Sequence, residues 1–294
     1  MYRLGFFGEE MKKVFFLLGV IALSLGIGKS WHWAKDGFSV PRIQGWEGVD
    51  SYPPLEQEAI AALQQPYRYL GRGRQCFAFV SADGQYVLKF PRLDRYRIPF
   101  WLRALNVSVL DRMRFDLSES HAFRETMILN SFRMSWDELR GATALIAIHM
   151  PEAISSDNQL TLIDRLGRKV ELPLEKTAFI LQKKEEPLLR ALKAALKQGD
   201  EQKAEEILSA FLAIAQEWGR KGIFNKDPKF IRDLGLDKAR AYQIDIGSFY
   251  RKEGILDFSE VIREPVQHMR EWLVREAPQL TDRYDKKAIA LSPF

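Results

Sequence analysis

The chain is poor in the residues that build metal cages and covalent staples. Its 294 residues include one cysteine, Cys76, and four histidines, His32, His121, His149 and His268. A single cysteine excludes an internal disulfide and any multi-cysteine zinc site. The histidines stand far apart, with no HxxxH or HxH spacing, which argues against a histidine metal centre. There is no internal repeat and no low-complexity tract. Net charge is small: 44 Lys and Arg against 39 Asp and Glu leave +5. That excess does not by itself imply nucleic acid, and no nucleic-acid-binding motif accompanies it. What is present is an ordinary folded composition, 46% hydrophobic and 28% charged, long enough for a substantial core.

The first thirty residues differ from the rest. Residues 14–28 form a 15-residue uncharged run between Lys12, Lys13 and Lys29. A bilayer takes about 20 apolar residues, so the run is short for an anchor, although Trp31 and Trp33 suit an interface. A signal peptide and a buried helix are the competing readings. Residues 1–30 are therefore expected to form a tail with a hydrophobic helix, either an anchor or a signal. An anchored domain is expected to face the cytoplasm, and a cleaved one to be exported. Residues 31–66 read as a Trp-, Gly- and Pro-rich linker that packs locally, with a short helical pattern over 55–65.

From residue 67 the alternation of apolar residues predicts strands over 67–70, 77–81 and 86–90. Asp83-Gly84 is a hairpin turn between the last two. Helical spacing follows over 118–139, then strands over 144–150, 159–164, 169–172 and 177–182. After Pro187 the period becomes helical, over 188–198 and 201–220, with a short strand at 241–244 and helices near 258–276. A strand-rich segment, 67–184 with a basic insertion at 91–117, thus precedes a helix-rich one, 185–294. This order predicts an α+β fold with two lobes.

Several residues in this frame suit phosphate chemistry. Gly71 and Gly73 lie between two predicted strands, where backbone N–H groups approach a phosphate chain unhindered. A bare Gly-rich hairpin turn explains them equally well, and Cys76 occupies the place of a third glycine. Lys89 stands inside an apolar strand; taken alone it reads as an edge-strand lysine facing water, and at a buried flank it needs an anionic partner such as a nucleotide phosphate. Helical spacing puts Glu125 on one face with Ala122, Leu129 and Phe132, so Glu125 is the expected partner of Lys89, with Glu119 a competing partner and a half-exposed Glu125 the plain alternative. Asp227 follows the long apolar helix. Asp245, in Asp245-Ile246-Gly247, follows a strand 18 residues later. Two such carboxylates match the two needs of phosphoryl transfer, one orienting the nucleophile and one holding Mg²⁺. Lys229, two residues after Asp227, is placed to neutralise the transferring group.

Taken in order, this set resembles the protein-kinase-like superfamily over roughly residues 67 to 250. The resemblance implies a two-lobed fold with a β-rich N-terminal lobe, ATP and Mg²⁺ as cofactors, and a phosphate acceptor of unknown identity. Gly71 and Gly73 would cover the nucleotide phosphates, and Lys89 and Glu125 would form the lysine–glutamate pair. Asp227 and Lys229 would act on the reacting groups, and Asp245 would hold the metal. The pattern departs in three places. Arg232 stands where the catalytic-loop asparagine is expected, so Asp233 becomes the substitute metal ligand if the loop is one residue longer. No Ala-Pro-Glu follows Asp245. Only 49 residues remain after it, which implies a shortened helical lobe nearer to atypical, lipopolysaccharide-core or small-molecule kinases. A pseudokinase that binds nucleotide as a scaffold, and a tethered or exported interaction protein without catalysis, are the alternatives.

Charge is uneven along the chain. Between Arg68 and Arg114 there are ten basic residues and three acidic ones. Part of this stretch, from Pro99 onward, mixes aromatics with arginine. It is expected either to pack on the small lobe or to touch an anionic membrane surface.

Overall fold

The computed structural model describes residues 4–44, 46, 52–105, 107–151, 159–227, 230–252 and 258–291. In chain order the elements are α1 (Leu4–Ala34), α2 (Gln57–Leu63), β1 (Tyr67–Arg72), β2 (Cys76–Ser81), β3 (Tyr86–Pro91), α3 (Phe100–Ala104), α4 (Asp111–Asp137), β4 (Leu145–His149), β5 (Gln159–Ile163), β6 (Lys169–Pro173) and β7 (Phe179–Lys183). There follow β8 (Glu186–Pro187), α5 (Leu188–Gln198), α6 (Glu201–Lys221), β9 (Phe224–Asn225), β10 (Leu234–Asp237), β11 (Arg240–Gln243), β12 (Phe249–Tyr250), α7 (Phe258–Glu276) and α8 (Thr281–Leu291). The architecture is α+β: a curled sheet followed by a helical part.

The sheet has seven strands in the order β4-β7-β3-β2-β1-β5-β6. Among the described residues only the β1–β5 pair is parallel. Alternation builds it: on β2, Phe77 and Phe79 point inward while Cys76 and Ala78 are half-buried. The β2–β3 hairpin closes on Gly84 at φ +73°, and the Asp83 carboxylate accepts from Ser81 Oγ and the Gln85 N–H. Phe77, Phe79, Leu88 and Phe90 are fully buried beneath the sheet, each worth about 1.5–3 kcal/mol. The helical part centres on α6. Asp200 caps its start by accepting from the Lys203 N–H, and Gly222 ends it at φ +63°. Its residues Ile207, Phe211, Ala215 and Trp218 lie in the larger core with Leu192 of α5 and Met269 of α7.

Several boundaries differ from the sequence reading. Residues 31–34 are the last turn of α1, not linker. The segment that follows does more than pack locally: Phe38 and Ile43 enter the core beneath the sheet, and Trp46 and Tyr52 enter the larger core. Helix α4 begins at Asp111, so the end of the basic insertion is helical. The β10 strand and α8 had no separate signal in the sequence reading. The expected anchor falls within α1, where Phe15, Phe16, Leu23 and Ile27 are exposed. Among the described residues no helix is long and apolar enough to cross a membrane.

Candidate active site

Strand periodicity decides where Lys89 points. Leu88 and Phe90 turn into the core beneath the sheet, so Lys89 turns to the opposite face, toward the helical part. Its Nζ donates to the backbone carbonyl of Ile244. Burial holds the Lys89 amine below the ordinary lysine range, and the negative charges of Asp245 and Asp233 oppose that displacement. Cys76 shares this space. Burial, reinforced by Asp245, pushes its thiol up to about 12, so it is a thiol rather than a reactive thiolate at neutral pH.

The segment 244–247 is fixed residue by residue. Lys89 reaches the Ile244 carbonyl, and Gln243 Nε2 donates to the Asp245 carbonyl at 3.1 Å. Ser131 Oγ of α4 donates to the Ile246 carbonyl at 2.5 Å and accepts the Phe249 N–H at 2.8 Å. Gln75 Nε2, from the β1–β2 loop, donates to the Gly247 carbonyl at 3.1 Å. Four consecutive carbonyls are thus each held by a side chain. Asp245 Oδ1 accepts the Gly247 N–H at 3.2 Å, which turns its carboxylate back over the segment. The Oε1 atoms of Gln75 and Gln243 are buried without a hydrogen-bond partner among the described residues.

Asp227 arrives from the end of α6. The left-handed Gly222 stops the helix, and β9 pairs with β12, aligning Asn225 with Phe249. The Lys226 N–H donates to the Ser248 carbonyl at 2.8 Å, and Asn225 Oδ1 accepts the Asp227 N–H at 2.9 Å. These bonds set Asp227 beside the Asp245 segment. The β10–β11 hairpin then brings Asp233 in: the Ile244 N–H donates to the Asp233 carbonyl at 2.8 Å. Burial, with the charges of Asp245 and Asp227, pushes the Asp233 carboxyl up to about 7. Arg232 is exposed.

A cavity of about 340 Å³ opens onto this cluster, lined by Arg74 and Gln75, Arg95 and Tyr96, Arg124, Met127 and Ile128, Lys226 and Asp227, and Asp245 with residues 247 to 249. Burial pushes the Tyr96 hydroxyl up to about 12.

Lys89, Asp227, Asp233 and Asp245 therefore meet, whereas Glu125 does not join them as expected. Lys89 and Glu125 form no ion pair among the described residues. The reason is helix rotation: the buried residues of α4 are Ile128, Ser131, Phe132 and Ser135, and Ala122 is exposed. Glu125 is half-buried, and its charge acts on Tyr96. Lys229 lies outside the described residues. Gly71 and Gly73 flank the turn, neither at positive φ; a Cβ at Gly71 would meet nothing, and one at Gly73 only the Cys76 carbonyl at 3.5 Å. Among the described residues no group of three or more His, Cys, Asp or Glu is placed to hold a metal ion. Ser131, Gln75, Gln243 and Arg124 carry parts of the site that the sequence did not mark. Only an Arg124–Met127–Ile128 stripe at helical spacing hinted at the last.

No protein-family model matches the chain. No curated protein matches it either. Among solved structures, two of WbdD overlap it, one of them described as a bifunctional kinase-methyltransferase. Their identities are 18% and 17%, each with a TM-score of 0.34. Each overlap covers 68% of this chain and 34% of WbdD, so the chain matches about a third of that protein's length. An overlap this loose defines neither fold family nor activity, which rest on the cleft itself.

Proposed function

We propose that the chain is a phosphotransferase of protein-kinase-like type, moving the γ-phosphoryl group of ATP to a hydroxyl acceptor. One observation carries the reading: Lys89, Asp227, Asp233 and Asp245, from four separate segments, gather at one place, Asp227 and Asp245 lining the cleft and Lys89 and Asp233 within electrostatic reach of Asp245. Lys89 lies on the sheet side, where its ammonium would meet the nucleotide phosphates. The open space at Gly71 would let the backbone approach them.

The donor set fits a hard divalent cation. Burial first, and then the charges of Asp245 and Asp227, push Asp233 up to about 7, and a cation bound by Asp245 and Asp233 would favour its charged form. Two carboxylates suit Mg²⁺, which completes its shell with phosphate oxygens and water. When bound, Mg²⁺ supplies charge neutralisation on the phosphates. The exposure of Arg232 and the position of Asp233 support a catalytic loop one residue longer, with Asp233 in the metal role.

Asp227 is the acceptor's base. In transfer, the acceptor oxygen bonds to the γ-phosphorus, the bond from that phosphorus to the β,γ-bridging oxygen breaks, and ADP leaves. The acceptor's proton passes to the Asp227 carboxylate and then to water. The four held carbonyls of 244–247 keep Asp245 in place, so little reorganisation is needed at that step.

The test is Mg-ATP binding by calorimetry, with transfer of labelled γ-phosphate to the protein or to added acceptors, on the full chain. Mg-dependent binding is expected, with transfer lost in Asp227→Asn and Asp245→Ala. Transfer that survives Asp245→Ala would overturn the roles. Binding without any transfer would make the protein a nucleotide-binding module instead.

A further inference from the structure

The cleft holds more positive charge than its own residues use. Arg74 comes from the β1–β2 loop, Arg95 from the turn after β3, Arg124 from α4 and Lys226 from the loop after α6. None of the four forms an ion pair among the described residues. Neighbouring arginines do: Arg72 pairs with Asp36 at 3.2 Å, Arg92 with Asp94 at 3.1 Å, and Arg114 with Asp111. Among the described residues the only side-chain hydrogen bonds of the four are from Arg95 Nη1 to the Arg74 carbonyl at 2.8 Å and from Lys226 Nζ to Met127 Sδ at 3.9 Å. The two lining carboxylates, Asp227 and Asp245, belong to the transfer chemistry.

Four cations from four segments, without an ion pair among the described residues, line one cleft. Like charges gathered without counter-ions repel, and an anionic ligand removes that cost. Guanidinium forks pair bidentately with phosphate and carboxylate, and three of the four cations are arginines. Lys89 already serves the nucleotide side under the proposed function. Arg124 approaches from α4 and Lys226 is next to the proposed base.

We infer that the phosphate acceptor is itself an anion: a hydroxyl compound carrying a phosphate or carboxylate group, held by Arg95, Arg124 and Lys226 with its hydroxyl toward Asp227. This rests on the phosphotransferase reading. The alternative source of the same chemistry is the nucleotide's own phosphates.

The experiment uses the full chain with saturating Mg-ADP and glycerol 3-phosphate as probe, with glycerol as the neutral control, followed by ligand-detected NMR. The phosphate probe is expected to bind beside ADP, the control not. Arg124→Gln and Lys226→Gln, on different segments, should each weaken the probe about tenfold relative to ADP. Added salt should weaken probe binding to the parent protein. An ADP-saturated cleft that does not take the phosphate probe, or takes it indifferently to both substitutions and to salt, would overturn the inference. Loss of ADP affinity equal to loss of probe affinity would assign the cations to the nucleotide and also overturn it. Absence of Mg-ADP binding altogether would fail the phosphotransferase reading instead, and the probe measured without ADP would then decide the anion site alone.

Discussion

The side-chain amide of Gln75 donates to the carbonyl of Gly247 at 3.1 Å, and a Cβ on residue 247 would lie 1.8 Å from Gln75 Oε1. The β1–β2 loop and the Asp245 segment are thus in contact closely enough that a side chain at residue 247 needs the Gln75 amide to swing away, with loss of its hydrogen bond to the Gly247 carbonyl. Gly247→Ala is expected to destabilise the protein by about 0.5–1.5 kcal/mol, the worth of the displaced hydrogen bond. In a Gln75→Ala background the same substitution should cost little, because that bond is already gone. Urea denaturation of the two single variants and the double variant gives the coupling directly.

Ser131 is the bolt between α4 and the same segment. Removing its hydroxyl leaves the Phe249 N–H without its acceptor and deprives the Ile246 carbonyl of its close donor, in a buried place. Ser131→Ala is expected to cost about 1–3 kcal/mol. Calorimetric melting would show it as a fall of roughly 2–4 °C for each kcal/mol. Ser135→Ala should cost less, because Ser135 Oγ bonds mainly to the Ser131 carbonyl at 2.7 Å, which α4 also satisfies.

Lys89→Met removes the charge facing Asp245 and Asp233 and the donor to Ile244. Mg-ATP affinity is expected to fall about tenfold or more, the loss of a charge-assisted contact to phosphate. Calorimetric titration of the parent and variant checks it, with far-ultraviolet dichroism confirming that both are folded.

Asp233 gives a pH dependence of stability. Its carboxyl titrates at about 7 in the folded chain and near 3.8 when free. Between those values the folded state holds a proton that the unfolded state has lost, so this group's contribution to stability falls as pH rises. Without added nucleotide or metal, Asp233→Asn should match the parent near pH 4. At pH 8 it should be more stable by about 1–3 kcal/mol. Urea midpoints across that range test the sign. A relative gain at pH 4 and none at pH 8 would contradict it.

Much of the fold was legible from local pattern. The alternation over 67–90 marked β1, β2 and β3 and their Asp83-Gly84 turn. The apolar stripe from Ile207 to Trp218 marked α6. Where two readings were close, the packing chose. Glu125 shares helical spacing with Phe132, but α4 is rotated so that Ser131 and Ile128 face the cleft. Lys89 therefore finds a backbone carbonyl and two aspartates rather than Glu125.

The sequence by itself determined most of the strands, helices and turns, though not β10 or α8, because periods of 2 and 3.6 residues are local properties of the chain. It also placed Lys89 on one face of a strand and Asp245 after another. Only the tertiary structure decided what those residues meet. The carbonyls of residues 244–247 are held by side chains from β3, β11, α4 and the β1–β2 loop. The unpaired cations of the cleft come from segments up to 152 residues apart, Arg74 to Lys226. Contacts over such separations are set by how the sheet closes on the helical part, and no local pattern encodes that closure.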